Sequence, residues 1–159
     1  MASPITPRCL LLDIEGTTTP IRFVHDTLFG LVREQLVSFL DTEWTRPDVQ
    51  ESIALLRQQA AEDRQRGIDA CPAIPDASSA SDDTIKQAVV DNVFWQMDDD
   101  RKTGSLKRLQ GQIWRRAYEA GMVKSAVFDD VVPALHRCQA LQVPVYVYSS
   151  GSVEAQQLM

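Results

Sequence analysis

Hydrophobic and polar positions change their period more than once along this chain. Residues 9–12, Cys-Leu-Leu-Leu, form a short continuous apolar run that ends at Asp13. The polar stretch Glu15-Gly16-Thr17-Thr18-Thr19-Pro20 stops it abruptly, which favours a short buried strand over a helix turn. From Asp26 the spacing becomes helical. Leu28, Leu31, Val32, Gln35, Leu36, Phe39 and Leu40 follow the i, i+3, i+4 rule, with Asp26 as the expected N-cap. A second helix is expected from Pro47, a good first-turn residue after Thr45, with Val49, Ile53, Leu56 and Ala60 on one face and an end near Gly67. Residues 68–81, with Pro72, Pro75 and several small residues, read as a loop inside a helical region. Asp82 or Asp83 then caps a third helix carrying Ile85, Val89, Val93 and Met97. Ser105 to Ala120 makes a fourth, with Leu106, Leu109, Ile113 and Ala117 inward and Gly121 closing it. The stretch 26–121 therefore predicts a bundle of about four amphipathic helices.

The last part changes again. Val131 to Ala140 predicts a short helix with Pro133 in its first turn. Residues 143–148, Val-Pro-Val-Tyr-Val-Tyr, are β-branched and aromatic, as a strand requires. They terminate in Ser149-Ser150-Gly151-Ser152, and Val153 to Met159 begins one more helix. Two short strands thus enclose a helical insert. In open α/β sheets, ligands bind outside the carboxyl ends of parallel strands. Asp13 and Ser149 sit side by side there if the two strands are neighbours.

Composition narrows the choice of function. The chain has 159 residues and a formal net charge of −6, with 44% hydrophobic and 24% charged residues. That suits one domain, or a small domain with an insertion, and a chain of about 150 residues buries around 70% of its unfolded surface. An acidic balance argues against a partner gripped through its phosphate backbone, so nucleic acid is not expected. No apolar run approaches the ~20 residues needed to span a bilayer, and the start is too short in apolar residues for a secretory leader of about 7–15. Cys9, Cys71 and Cys138 form no CxxC spacing and only His25 and His136 accompany them. A disulfide framework and the usual zinc patterns are thereby excluded, and a reducing compartment is the default.

The candidate chemistry lies in the two polar turns. Asp13 and Glu15, at i and i+2, point to the same side if the chain stays extended. A rigidly held carboxylate can attack phosphorus, and a second one nearby can move a proton to the leaving oxygen and later take one from water. Two carboxylates would repel a phosphate dianion, so a divalent cation is required, and Mg²⁺ suits a site of one or two carboxylates plus phosphate. Gly16 allows close approach of the backbone, and Thr17 to Thr19 offer hydroxyl and amide donors. The same residues also suit an acidic surface turn. Ser149-Ser150-Gly151-Ser152 reads as a phosphate cradle at a helix N-terminus, or as a plain cap by Ser152 with Glu154 in the first turn. Taken together, the two turns favour phosphoryl chemistry. Elsewhere, Trp44, Trp95 and Trp114 read as helical core. Phe23, Val24 and His25 stand close enough to the first turn to line a substrate pocket, although a lone His25 fits a structural or surface role better. Asp98 to Lys102 reads as a solvated helix end and Cys9 as buried packing.

The stretch LLLDIEGTTTPIRFVHDTLF resembles the first motif and following segment of the enolase-phosphatases of methionine salvage, within the haloacid dehalogenase superfamily. VVDNVFWQMDDDRKTGSLKRLQGQIW and VYVYSSGSVEAQ are similar to later segments of the same family. The resemblance implies an α/β fold, a haloacid dehalogenase-like Rossmannoid core, incomplete here, with a large inserted α-helical cap. Residues 8–20 would be the first strand and catalytic loop, 21–125 the cap, and 126–159 the return to the core. It implies Asp13 as the nucleophile that forms an aspartyl-phosphate and Glu15 as the general acid/base. Both would hold one Mg²⁺ per subunit, Glu15 through its backbone carbonyl. Ser149 would bind the transferring phosphoryl group and Ser150 the substrate beside it. The implied reaction enolises 2,3-diketo-5-methylthiopentyl-1-phosphate and then dephosphorylates it to an acireductone, under a cap that excludes water. The implied partner is that small phosphorylated diketone, with no nucleic acid and no membrane. A monomer is implied too, in the cytoplasm with the nucleus as a second location. The family pattern also has a lysine and a further acidic motif after the second motif, and this sequence ends at Met159 without them. An inactive fragment serving as a helical interaction or regulatory module is therefore the alternative expectation. A phosphatase without enolase activity is a third.

Overall fold

In the computed structural model, which describes residues 7–151 and 153–158, Leu10–Leu12 (β1) and Val145–Val147 (β2) pair in parallel. Leu10 stands opposite Val145 and Leu12 opposite Val147. β2 is shorter than its β-rich sequence predicts, because Pro144 has no N–H to give the ladder. Its carbonyl still accepts from Leu10 N at 2.9 Å, and Tyr148 N donates to Leu12 O at 2.8 Å, so the pairing reaches the mouths of both strands.

Between the strands lie the helices. Winding begins directly after Pro20, whose carbonyl accepts from Phe23 N at 2.9 Å. A π-helical segment Phe23–Phe29 then leads into α1, Gly30–Glu43. Asp26 is inside the π segment rather than at a cap, because its own backbone is already helical. α2, Pro47–Gln65, starts at the proline as expected, with Arg46 bound to Asp48 at 2.8 Å. That hydrogen bond holds the Asp48 carboxyl below the usual carboxylate range. Gly67, at φ +84°, supplies the left-handed residue that lets the chain leave the helix. α3, Asp82–Asp98, is capped by Ser81, whose hydroxyl accepts from Thr84 N at 3.4 Å. Asp82 and Asp83 are not the cap; they occupy the first turn, where carboxylates complement the helix dipole. α4, Gly104–Glu119, is capped by Thr103. α5, Val131–Ala140, and α6, Val153–Leu158, complete the order. The expected cap at Ser152 and the expected helix end at Met159 lie outside the described residues.

The four long helices share one core. Leu36, Phe39, Leu40, Val49, Ile53 and Leu56 from α1 and α2 meet Ile85, Val89 and Val93 of α3 and Leu106, Leu109 and Ile113 of α4. Trp44 and Trp114 pack against this cluster half-buried, and half-buried Trp95 carries the Arg101 guanidinium 4.7 Å above its ring. The 68–81 loop is part of the same interior, with Cys71 and Ile74 buried. Burial pushes the Cys71 thiol upward from its ordinary range.

Two further expectations are corrected. The Asp98–Lys102 run is not a purely solvated end. Asp100 takes a left-handed φ of +46°, and Arg101 turns inward to pair with buried Asp63 at 2.7 Å. Cys9 is exposed rather than packed, because among the described residues no further layer covers that part of the sheet.

Candidate active site

The first polar turn is built on Ile14. Its side chain is buried, and its carbonyl accepts from the N–H groups of Thr17, Thr18 and Thr19 at 3.2, 3.0 and 2.9 Å. Gly16 N donates to Thr19 O at 2.7 Å, and Gly16 holds φ +78°, a conformation that L side chains adopt only with strain. The three threonine amides are thus committed to the turn and are not free donors for a ligand, contrary to the sequence-based expectation. The chain also does not stay extended past Asp13, so the i, i+2 argument for a common side fails on its own premise. The tight turn instead returns Glu15 to the strand mouth. Asp13 and Glu15, with Leu12, Tyr148, Ser149 and Ser150, line one open hollow at the carboxyl ends of the two strands.

Asp13 is exposed, and its Oδ1 accepts from Ile14 N at 2.8 Å. That bond orients the carboxylate, and Oδ2 has no hydrogen-bond partner among the described residues. Across the strand pair, the Ser149 hydroxyl oxygen accepts from Gly151 N at 3.1 Å, which leaves its O–H proton available to donate. Gln156 Nε2 of α6 donates to Gly151 O at 2.8 Å and fixes the loop from behind. A Cβ on Gly151 would stand 3.4 Å from Ser149 Oγ, so the turn packs close against that hydroxyl.

A second, deeper cleft of about 320 Å³ opens on the helical side of the same loops. Glu15, Ser150 and Gly151 form one wall. Opposite stand Leu106, Lys107, Gln110 and Trp114 of α4, with Met97 of α3 and Leu28 of the π segment. Glu15 and Ser150 line both hollows. Lys107 Nζ donates to Ser150 O at 3.1 Å and so joins α4 to the second turn. Of the three residues expected near the first turn, Val24 and His25 line the cleft, while Phe23 packs against the cluster of Leu28, Leu31 and Ala117. His25 is exposed and meets the Phe29 ring edge-on at 5.6 Å. Glu15 is exposed as well, so this arrangement does not seal water from the turn.

Asp13 and Glu15 supply hard oxygen donors of the kind Mg²⁺ takes, leaving other positions to water and phosphate. Among the described residues no group of three or more His, Cys, Asp or Glu side chains converges on one point. Among the described residues, the donor set that fits a Mg²⁺ ion is therefore Asp13 with Glu15. Sequence reasoning missed Lys107, Gln110, Arg101 and Lys102 as cleft residues. The available signal was the stripe 107, 110, 114 on α4, which runs beside its apolar face at helical spacing.

No family model matches the chain. It is 47% identical over 159 residues to a protein named enolase-phosphatase E1 from Xenopus tropicalis, covering 98% of this chain and 59% of that protein. A protein of the same name from Danio rerio is 44% identical, with 100% and 61% covered. The chain thus spans about three-fifths of the length of these relatives. The crystal structure of the UTR4 protein of Saccharomyces cerevisiae is similar with a TM-score of 0.64 and 28% identity, over 95% of this chain and 55% of that one. The expected α/β, haloacid dehalogenase-like class holds, and the resemblance carried by the motifs extends along the whole chain. No helix among the described residues is long and apolar enough to cross a membrane.

Proposed function

We infer that the chain is a member of the enolase-phosphatase family and contributes a phosphoryl-transfer site, residues 8–20 and 126–159 forming the catalytic floor and 21–125 the cap. The observation that carries this reading is the meeting of Asp13, Glu15, Ser149 and Ser150 in one hollow at the ends of neighbouring parallel strands. Similarity over nearly the whole chain to proteins named enolase-phosphatase E1 supports the same family reading.

In this mechanism Oδ2 of Asp13 attacks the phosphorus of the enolised diketo phosphate, and the ester oxygen leaves with a proton from Glu15. Glu15 then takes a proton from the water that hydrolyses the aspartyl-phosphate. The Ser149 O–H donates to a phosphoryl oxygen, and Ser150 borders the rest of the substrate. Mg²⁺ held by Asp13 and Glu15 would offset the repulsion between carboxylates and phosphate. Enolisation precedes this step: a proton leaves the carbon beside a carbonyl, the C–H electron pair forms the C=C bond, and the carbonyl oxygen takes a proton to become the enol O–H. Glu15 lines both hollows, which supports giving it that proton transfer too. The substrate proposed is 2,3-diketo-5-methylthiopentyl-1-phosphate and the product an acireductone.

Phosphate release from that diketo phosphate by the purified chain, with and without Mg²⁺, tests the reading. Asp13→Asn should lower release by roughly 10⁴-fold or more, since removing a nucleophile removes the covalent route. Release that survives Asp13→Asn would overturn the assignment. A folded chain that releases none would favour the reading as a helical interaction module.

A further inference from the structure

The outer edge of β2 is open. The parallel register sets Leu10 against Val145 and Leu12 against Val147, with Leu10 N donating to Pro144 O and Tyr148 N to Leu12 O. In such a ladder Tyr146 turns both its N–H and its C=O toward β1, and Val145 and Val147 turn theirs outward. Among the described residues no strand lies on that side. Pro144 has the parity of Tyr146, so its missing N–H is on the inner side and does not blunt the outer edge. Charge does not guard the edge either, because residues 138–153 contain no Asp, Glu, Lys or Arg. β1, by contrast, is flanked by Arg8 and Asp13.

α5 belongs to the same surface. It runs into β2 through residues 141–144, where Val143 N donates to Cys138 O at 2.9 Å, and no side chain of α5 is buried. Val132, Leu135, Leu141, Tyr146, Val147 and Tyr148 are each between 39% and 76% exposed. Such side chains offer roughly 600 Å² on one copy, and roughly 1,200 Å² over a symmetric pair is the lower end of specific interfaces. Exposed Asp129 and Asp130 precede α5, and exposed Arg137 is in its last turn.

We propose that the outer edge of β2 pairs with its own copy, antiparallel, about a two-fold axis perpendicular to the sheet at Tyr146. The edge is self-complementary. Val145 of one copy and Val147 of the other exchange N–H···O=C bonds on both sides of the axis, and the two Tyr146 side chains face each other as a non-hydrogen-bonded pair. The same axis leaves both copies of α5 on one side of the joined sheet and antiparallel. The basic end of each then approaches the acidic start of the other, so the charges agree with the strand pairing. The occupant is a second copy of this chain, in place of the monomer that the family resemblance implies. The pairing is independent of the phosphoryl-transfer reading.

Sedimentation velocity tests it. An interface of this size predicts monomer at about 1 µM chain and dimer at about 100 µM. Tyr146→Cys in a Cys9→Ser background should form an interchain disulfide on mild oxidation, since the paired Cα atoms stand about 4.5 Å apart, within disulfide reach. Leu11→Cys in that background should form none, its two copies lying roughly 14 Å apart across the joined sheet. Val147→Pro removes half of the new bonds without touching the ladder to β1, and should leave the chain monomeric at about 100 µM. If Val147→Pro is unfolded by circular dichroism, Arg137→Glu serves, and should weaken pairing by about fivefold or more by setting like charges together. A chain that stays monomeric up to about 100 µM, a dimer unchanged in the folded edge or charge variant, or a disulfide that forms as readily at Leu11→Cys would each overturn the proposal. Growth to larger species without a dimer plateau would overturn it too, because two-fold pairing closes at two copies.

Discussion

The helical region and the strand region of this molecule satisfy their apolar residues in opposite ways. In α1 to α4, Phe39, Leu40, Ile53, Leu109 and Ile113 are essentially solvent-free, and the side chains interdigitate from four sides. Around the strands, Leu11, Tyr146, Val147 and Tyr148 are more than half exposed, and α5 carries no buried side chain. A two-stranded sheet has two faces and two edges, and three-residue strands offer little area with which to hold themselves together. The lesson is that the two polar turns rest on the less buried part of the molecule. Their geometry is held by local devices: the Ile14 carbonyl, the Gly16 turn, the Gln156 clasp and the Lys107 tie.

That contrast can be broken by mutation. Phe39→Ala should destabilise the chain by about 3–5 kcal/mol, the usual range for emptying a close-packed aromatic site. Tyr146→Ala, at a 57% exposed position, should change it by no more than about 0.5 kcal/mol. Comparable losses in denaturant titrations would show that the strand region is as tightly packed as the bundle.

The polar interior divides the same way. Asp63→Ala would strand Arg101 in a pair whose side chains are only 16% and 3% exposed, and about 3 kcal/mol should be lost. Asp48→Ala, at a 50%/40% exposed pair, should cost under about 1 kcal/mol. Because Arg46 holds the Asp48 carboxyl low, that smaller contribution is complete at neutral pH and disappears as the pH falls through and below the usual carboxylate range. Thermal melts of the variant from pH 7 to pH 2 check the sign.

Thr103→Ala sharpens the picture at the cleft. It removes the cap of α4 and the bond to Gln96, and should cost about 1–2 kcal/mol in denaturant titrations.

The cysteines report the contrast with the least perturbation. A thiol reagent should modify exposed Cys9 within seconds to minutes and buried Cys71 only as the bundle opens. Stability should also decline as the pH rises through the ordinary thiol range, because the unfolded Cys71 thiol ionises before the folded one. Equal labelling rates would contradict the burial.

Pattern alone outlined most of the elements. α5 spans Val131–Ala140 as the spacing predicts, α2 begins at Pro47, and the positive φ of Gly121 follows α4 as expected. These features are written within one or two turns of chain, where propensity, period and turn chemistry act. The Asp26 cap failed because winding began earlier, at the Pro20 carbonyl, and the Asp82 or Asp83 cap failed because Ser81 stood one residue ahead. Both errors are of boundary, where several residues can serve and the local energies differ little.

What the sequence by itself determined was the set of helices and strands and the chemistry available in the two polar turns. Only tertiary structure decided that Arg101 turns inward to Asp63, that Cys9 faces water, and that Lys107 reaches the Ser150 carbonyl across the cleft. Each of those outcomes depends on which surfaces meet, and residues far apart in the chain meet only after the bundle has packed.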